Sequence, residues 1–278
     1  MNLNRIERGS GPLVVLLHGF PEYSYSWRKQ IPALVDAGFR VVAPDLRGYN
    51  DSPKPRDVDA YRITAVIEDV VELINEPCVL VGHDWGGVAA WFTAMLHPQL
   101  VRKLVVLNSA HPKPLQRELK RSLNQRIRFL YQLFFQFPSA APLIRPLLPL
   151  LLRGRFTRED VDEYRKAWKK KDAVRSMISY YPALRRSRAE LRELIRVIDA
   201  PTLYIFGTRD PVFTRATAMN FEKWVPNLRI ELIENAGHFV QTDAPDRVNE
   251  LLIEFALATP PRSGATASIA DASPASFE

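Results

Sequence analysis

The residue of this chain with the strongest claim to be a nucleophile is an aspartate, Asp84. Residues 81–87 read Val-Gly-His-Asp-Trp-Gly-Gly, with Asp84 at the centre of a small-X-nucleophile-X-small motif. That spacing is typical of a sharp turn between a strand and a helix. A serine at its centre would attack an acyl carbon, whereas a carboxylate is a poor acyl catalyst that displaces a leaving group from an sp³ carbon. The motif therefore predicts an epoxide or an alkyl halide as substrate, rather than an ester.

The ester that such a displacement leaves on Asp84 requires a base that activates water. His238 follows the last predicted strand and precedes a helix, where the base is expected in the order nucleophile, acid, base. Asp210 follows the strand before it and is the predicted orienting acid. The next earlier strand is followed by Asn108, which offers no carboxylate.

Four other histidines compete for the role of the base. His18 and His83 lie at strand ends and are interpreted as local hydrogen-bonding residues. His97 and His111 lie beside prolines at the boundaries of elements. His238 is therefore the predicted base.

Two backbone N–H groups are predicted to stabilise the negative charge that develops beside Asp84. Trp85, the next residue, supplies the first, and Phe20, in the loop after an early strand, supplies the second. Pro21 is predicted to fix that loop through a cis peptide bond. This chemistry requires neither a metal nor an organic cofactor.

Short apolar runs alternate with helical patterns and must position these residues. The runs that read as strands are residues 13–17, 40–43, 78–81, 103–107, 202–206 and 229–233. Such alternation indicates a mostly parallel sheet that is covered by helices on both faces. Residues 112–196 contain helical patterns, for example at 159–168, but no strand-like run, so they are predicted to form an inserted helical lid.

The predicted organisation is a core of residues 1–111 and 197–258 that is interrupted by the lid. Residues 259–278 are rich in Ala, Ser and Pro with little to bury, so they are predicted to form a disordered tail without chemistry. Cys78 is the only cysteine, and neither an apolar signal segment nor a run of membrane-span length is found. These features favour a cytoplasmic location.

Together these motifs resemble those of the epoxide hydrolases of the α/β-hydrolase superfamily. The similarity covers residues 10–257 and depends on His-Gly-Phe-Pro-Glu at 18–22, the motif around Asp84, Asp210, and Ala-Gly-His at 236–238. The resemblance implies an α/β-hydrolase fold with a mostly parallel central sheet and an inserted helical lid. It also implies conversion of a small-molecule epoxide to a 1,2-diol.

In that family, two lid tyrosines hold the epoxide oxygen through their hydroxyl groups. Tyr131, in Tyr-Gln-Leu-Phe-Phe-Gln at 131–136, is similar to the first of them. The resemblance also assigns Gln132 and Phe135 of this motif to substrate binding. A neutral phenol suits the role because the opening epoxide becomes an alkoxide, which a donor of pKa near 10 can bind and protonate.

The second lid tyrosine is less clearly defined by the sequence. Tyr181 is similar to it, but Tyr180 precedes it and Pro182 follows it, where the family commonly has a tryptophan and an arginine. Tyr180 is therefore an alternative donor and a predicted substrate-binding residue. The short N-terminus also departs from the family, because it leaves little room for the leading strands of the sheet.

Two other functions use the same residues. A haloalkane or haloacid dehalogenase would have the same nucleophile, base and acid, but it usually needs a second side-chain N–H donor beside Trp85 for the halide. Phe20 carries none. A non-catalytic ligand-binding protein on the same fold is the third possibility, because a fold does not dictate a function. The complete set of catalytic residue types disfavours it.

The predicted lid carries the positive charge of the chain. Residues 112–196 contain 21 Lys and Arg against 8 Asp and Glu, which leaves 17 against 23 elsewhere in a chain of net charge +7. This basic region and the apolar segment at 142–153 make contact with an anionic membrane an alternative. The prolines of the segment prevent one long amphipathic helix, and no nucleic-acid-binding motif accompanies it. A solvated basic surface is therefore the favoured interpretation.

Overall fold

The central element is one seven-stranded sheet. In the computed structural model, which describes residues 1–258, the strands are β1 (Arg5–Arg8), β2 (Leu13–Leu17), β3 (Arg40–Pro44), β4 (Cys78–His83), β5 (Val101–Leu107), β6 (Thr202–Gly207) and β7 (Leu228–Ile233). Their order across the sheet is β1-β3-β2-β4-β5-β6-β7, and every neighbouring pair is parallel except β1 with β3. The six predicted strands and the mostly parallel sheet are confirmed.

β1 is a strand that the sequence did not reveal. It lies at the edge of the sheet, pairs antiparallel with β3 and has mostly exposed side chains. Charged side chains suit an edge strand because they discourage pairing with another chain. The same charges remove the apolar pattern by which a strand is recognised. The described residues thus include one strand, β1, before β2.

The helices cover both faces of the sheet and extend beyond it. In chain order they are α1 (Gln30–Asp36), α2 (Ile63–Leu73), α3 (Asp84–Leu96), α4 (Pro112–Arg121), α5 (Leu123–Arg128), α6 (Tyr131–Phe134), α7 (Ala141–Ile144), α8 (Leu148–Leu151), α9 (Arg158–Lys169), α10 (Ala173–Glu193), α11 (Val240–Asp243) and α12 (Pro245–Leu257). α2 and α3 pack on one face of the sheet, and α1 and α12 pack on the other.

The strand β2 shows why the central strands read as unbroken apolar runs. Leu13, Val15 and Leu17 contact the apolar cluster that contains α2 and α3, whereas Val14 and Leu16 contact the cluster that contains α1 and α12. Successive side chains of a strand point to opposite faces, so a strand covered on both sides needs an apolar residue at every position.

Helices α4 to α10 all lie between β5 and β6, so the predicted helical insertion is present. The helical pattern at 159–168 lies within α9, which begins at a capping box formed by Thr157 and Asp160. Residues 138–151 form short helices and 3-10 turns instead of one long helix, as their prolines predicted. The lid boundaries at 112 and 196 stay a prediction.

Two further predictions concern parts of the chain beyond the sheet and the insertion. The predicted tail of residues 259–278 lies outside the described residues. Within residues 1–258, no helix combines the length and the low polarity that crossing a bilayer requires.

Candidate active site

Asp84 lies at the turn between β4 and α3 with φ at +48°, in the left-handed region. Positive φ is uncommon for a residue other than glycine, and such strain is often found at functional sites. A Cβ on Gly82 would lie 2.4 Å from the backbone oxygen of Gly86, and one on Gly86 would lie 2.2 Å from that of Leu17. The glycines therefore allow β2, β4 and α3 to approach closely around the carboxylate.

The two carboxylate oxygens of Asp84 have different partners. The backbone N–H of Phe20 donates to Oδ1 at 2.8 Å, while Oδ2 lies 3.6 Å from Nε2 of His238. The Phe20–Pro21 peptide bond is cis, as predicted. One oxygen is thus held by a backbone amide, and the other faces the imidazole of His238.

Trp85 and Phe20 are the residues predicted to hold negative charge through their N–H groups. Phe20 already donates to Asp84. Trp85 is in the first turn of α3, where backbone N–H groups have no acceptor within the helix. Because the N-terminal end of a helix also carries partial positive charge, this turn favours an anion beside Asp84.

His238 and Asp210 lie together on the other side of the Asp84 carboxylate. Nδ1 of His238 is 2.9 Å from Oδ2 of Asp210, which leaves Nε2 directed to Asp84. The backbone N–H groups of Val212 and Phe213 donate to Oδ1 of Asp210 at 2.6 and 3.1 Å. The structure thus brings together the predicted nucleophile, base and acid.

Two residues that follow β5 support this group without having been assigned a role from sequence. Asn108 donates from Nδ2 to Oδ2 of Asp210, and Ser109 donates from its hydroxyl to the backbone carbonyl of Asp84 at 2.7 Å. The available signal was their position, because the carboxyl ends of neighbouring parallel strands meet at one edge of the sheet. A polar pair after β5 therefore had to lie beside both Asp84 and Asp210.

The ionisation of these three side chains is coupled. Burial lowers the pKa of His238, but the charges and hydrogen bonds of Asp210 and Asp84 more than offset this and raise it to about 10. Burial raises the pKa of Asp84 and of Asp210, and the interactions with His238 bring both below the ordinary value. The free protein thus favours an imidazolium between two carboxylates.

Of the two histidines interpreted as local hydrogen-bonding residues, His18 bonds to its neighbour Gly19, whereas the partner of His83 lies far along the chain. Nε2 of His18 accepts from the N–H of Leu46 at 2.9 Å, so its Nδ1 donates to the carbonyl of Gly19 at 3.0 Å. His83 donates from Nε2 to the backbone carbonyl of His238 at 2.8 Å. His83 therefore positions the segment that carries the base.

A cavity of about 400 Å³ lies between the sheet and the insertion, with Asp84 and Trp85 in its wall. Much of the wall is apolar and includes Val88, Leu115, Phe129, Leu184 and Phe213. Arg185, Arg188 and Arg192 of α10 also border it. No group of three or more His, Cys, Asp or Glu side chains in residues 1–258 is arranged to hold a metal ion.

Tyr131, Tyr181 and Gln132 line the same cavity as Asp84. Burial is the main cause that raises the pKa of both tyrosines, and the negative charge of Asp84 adds to it. Each phenol is therefore a neutral hydrogen-bond donor near the carboxylate. The structure brings these two predicted donors and Gln132 to one site.

Two predicted substrate-binding residues are not among those that line this cavity. Phe135 packs behind the tyrosines, with its ring centroid 4.8 Å from that of Tyr181 and 5.4 Å from that of Tyr131. Tyr180 is buried, and its hydroxyl donates to the backbone carbonyl of Arg47 at 2.8 Å. Adjacent residues of a helix point about 100° apart, so α10 directs only Tyr181 to the cavity.

Helix α9 is bound to the loop that carries the Phe20 amide. The hydroxyl of Tyr164 donates to Oε1 of the buried Glu22 at 3.0 Å, and Nε1 of Trp168 donates to the backbone carbonyl of Pro21 at 2.8 Å. Gln241 donates to the other oxygen of Glu22 at 3.0 Å. The insertion thus helps to position a backbone group of the site.

Residues 12–245 match the model of the alpha/beta hydrolase fold family. The chain therefore belongs to the α/β-hydrolase family. The AB hydrolase superfamily protein YfhM of Bacillus subtilis (strain 168) is 37% identical to it over 262 residues, which cover 89% of this chain and 91% of that protein.

Other similar proteins are epoxide hydrolases, in agreement with the resemblance found in the sequence. Epoxide hydrolase 4 of Mus musculus is 33% identical over 269 residues, which cover 90% of this chain and 74% of that protein. A variant of the Bacillus megaterium epoxide hydrolase in complex with its product, a naphthyloxy-substituted propane-1,2-diol, is 34% identical with a TM-score of 0.82. That alignment covers 91% of this chain and 96% of the Bacillus megaterium chain.

Proposed function

We propose that this protein is an epoxide hydrolase that forms a 1,2-diol through a covalent ester on Asp84. The observation that carries the proposal is the meeting of a carboxylate nucleophile with two neutral phenols, Tyr131 and Tyr181, in one cavity. The His238–Asp210 pair beside Asp84 supplies the base that hydrolysis of an ester requires. The similarity to epoxide hydrolases supports the same reaction class.

In the first step, Oδ2 of Asp84 attacks one carbon of the epoxide ring from the side opposite the ring oxygen. The carbon–oxygen bond of the ring breaks, and its electron pair stays on the departing oxygen. Tyr131 and Tyr181 donate hydrogen bonds to that oxygen, and one of them transfers a proton to it. The product is a hydroxyalkyl ester of Asp84. Oδ1 stays bound to the N–H of Phe20 throughout.

In the second step, His238 removes a proton from a water molecule that attacks the carboxyl carbon of Asp84. The negative charge of the tetrahedral intermediate develops on Oδ1, where the N–H groups of Phe20 and Trp85 stabilise it. The bond from the carboxyl carbon to Oδ2 then breaks, and the departing alkoxide takes the proton that His238 gained from water, so the diol leaves with Oδ2. Asp84 keeps Oδ1 and gains the oxygen of the water.

Formation of the ester also prepares the base. The charge and hydrogen bond of Asp84 contribute to the raised pKa of His238. Esterification neutralises that carboxylate, so the pKa of His238 falls. The imidazolium then gives up its proton, which replaces the one that the tyrosine transferred, and the imidazole becomes available as a base. Asp210 remains ionised and holds Nδ1, which keeps Nε2 directed to the ester.

The decisive experiment is a single turnover of styrene oxide with excess enzyme in oxygen-18 water. The covalent route predicts an unlabelled first diol and a labelled peptide that contains Asp84. A fully labelled first diol with unlabelled protein would instead show direct attack of water on the epoxide. Asp84→Ala is the matched control and should form no diol, because removal of a catalytic nucleophile costs several orders of magnitude in rate.

A parallel assay distinguishes the proposal from dehalogenation. Incubation with 1-chlorobutane should release no chloride, because the Phe20 side chain offers no N–H to a departing halide. Chloride release faster than diol formation would assign the protein to the dehalogenases. Absence of both activities, with binding of either compound, would favour a ligand-binding protein.

A further inference from the structure

Large apolar side chains are exposed mainly in one part of the insertion. Ten of the thirteen exposed large apolar side chains in the described residues lie within residues 123–151, which we name the exposed lid face. Phe134 and Leu143 are 73% and 75% exposed. Soluble monomers seldom expose so many large apolar side chains in one region, and such a region usually marks an interaction surface.

The apolar side chains point outward in a regular pattern. They recur at alternating intervals of four and three residues, the spacing of one face of a helix, at Leu123, Ile127, Leu130, Phe134 and Phe137. An amphipathic helix ordinarily turns such a stripe to the core of its own protein. The exposed lid face turns it to the outside.

The inward side of the same segment is occupied by other contacts. Gln125 is buried and donates from Nε2 to the backbone carbonyl of Val212 at 2.9 Å. Phe129 and Gln132 line the cavity. The outward direction of the apolar stripe is therefore fixed by the packing of its opposite side.

Charged side chains within the segment that carries the exposed lid face have one sign. Residues 119–158 contain eight Lys and Arg and no Asp or Glu. Among these eight, only Arg155 forms a salt bridge in the described part of the chain, to Asp243. Arg126 lies within the sequence of the stripe, Arg153 follows the exposed lid face by two residues, and both are exposed. The surface thus combines apolar side chains with unneutralised positive charge.

We infer that the exposed lid face docks onto an anionic lipid bilayer. Apolar side chains can enter the boundary between headgroups and acyl chains, while arginines at the same depth attract anionic headgroups. A second copy of the chain is a poorer partner, because an isologous contact would bring two basic surfaces together. The solvated surface favoured from the sequence is thereby replaced by a membrane-binding one.

The position of the cavity gives this docking a consequence for the substrate. Leu133 lines the cavity and is also 63% exposed as part of the exposed lid face. The wall of the cavity is therefore continuous with the docking surface. If the proposed function holds, the substrates are lipophilic epoxides that enter the cavity from the bilayer.

The test is co-sedimentation of the full chain with phosphatidylcholine vesicles, with and without phosphatidylserine. We expect binding to the mixed vesicles that weakens as salt is added. The double variant Phe134→Gln/Leu143→Gln should weaken it about tenfold through lost apolar burial, and Arg126→Gln/Arg153→Gln should weaken it about tenfold through lost charge. Leu257→Gln, which changes an exposed leucine of α12, is the matched control and should bind like the unchanged chain.

Several results would overturn the inference. One is a full chain that stays in the supernatant with both kinds of vesicle. Another is a stable dimer that Phe134→Gln/Leu143→Gln dissociates, because the exposed lid face would then be an interface between copies. Thermal unfolding of each variant shows whether it is folded. None of the four changed residues lines the cavity, so a loss of vesicle binding would not reflect a change in the cavity wall.

Failure of the membrane docking can be distinguished from failure of the proposed epoxide hydrolase function. Vesicle binding requires no turnover, so bound protein without diol formation would refute only the proposed function. Diol formation by a chain that never binds vesicles would refute only the docking. If both hold, phosphatidylserine in vesicles that contain a lipophilic epoxide should raise the rate of diol formation, and Phe134→Gln/Leu143→Gln should abolish that increase.

Discussion

At the scale of single residues, the Asp84 carboxylate contributes, after Asp210, to the raised pKa of His238. In the free protein the imidazole faces two carboxylates, and only one of them, Asp210, stays charged once Asp84 is esterified. In the proposed mechanism, the same carboxylate is the nucleophile and, by losing its charge, releases the base for the second step. This coupling can be measured without substrate.

The substitution Asp84→Ala should lower the pKa of His238. It removes one charge and one hydrogen bond that raise this pKa, while those of Asp210 remain. An NMR titration of the His238 imidazole should therefore show deprotonation at lower pH in the variant than in the unchanged protein, where the pKa is about 10. Asp36→Ala, an exposed substitution in α1, should leave the titration unchanged. Identical curves for Asp84→Ala and the unchanged protein would refute the coupling.

The substitution His238→Gln should separate the two chemical steps. Asp84 still opens the epoxide once, but no base then activates water, so the ester accumulates. Intact-mass spectrometry should find the protein heavier by one substrate molecule, and digestion should locate the adduct on the peptide with Asp84. His97→Gln, which changes a histidine outside the site, should turn over normally and carry no adduct. An inactive His238→Gln protein without adduct under saturating epoxide would contradict the two-step route.

At the scale of elements, α10 distinguishes two adjacent tyrosines that the sequence left as alternatives. Tyr181→Phe removes a donor from the cavity and should slow ring opening roughly a hundredfold, within the usual range for a lost acid. Tyr180→Phe removes a hydrogen bond to Arg47 instead, so it should lower the free energy of unfolding by about 1–3 kcal/mol and leave ring opening nearly unchanged. Single-turnover rates and urea unfolding measure the two effects. A slower ring opening in Tyr180→Phe than in Tyr181→Phe would reverse the assignment.

Helix α9 should stabilise the loop that carries the Phe20 amide. Tyr164→Phe leaves a buried carboxylate, Glu22, without one of its donors, which should lower the free energy of unfolding by about 1–3 kcal/mol. Urea unfolding measures the loss. The control is Tyr23→Phe, which removes a similar bond to the more exposed Glu163 and should cost less. Equal losses in both variants would show that burial of Glu22 has no special effect.

The elements show what the sequence could predict. Central strands such as β4 are apolar at every position because they are covered on both faces, so their pattern is local and readable. The strand β1 was not predicted, because it is defined by its pairing with β3, which lies far along the chain. The same limit applied to Asn108, whose contact with Asp210 exists only once β5 and β6 are neighbours.

At the scale of the whole molecule, charge and exposure are distributed unevenly. The insertion holds the excess of Lys and Arg, while the rest of the chain has more Asp and Glu. Composition predicted that imbalance, but it did not predict that the apolar side chains of residues 123–151 face outward. Their direction depends on which side of each short helix packs inward. That side cannot be read from a single sequence. The proposed membrane docking therefore depends on contacts that composition does not contain.

Two parts of the insertion differ in how freely their sequence can change during evolution. Tyr164 and Trp168 attach α9 to the loop beside Asp84, so most substitutions there would disturb the position of the Phe20 amide. The exposed side chains of residues 123–151 do not hold that loop, although other residues of the segment line the cavity. Selection can therefore exchange the exposed side chains of that segment while Tyr131 and the other residues that line the cavity are kept.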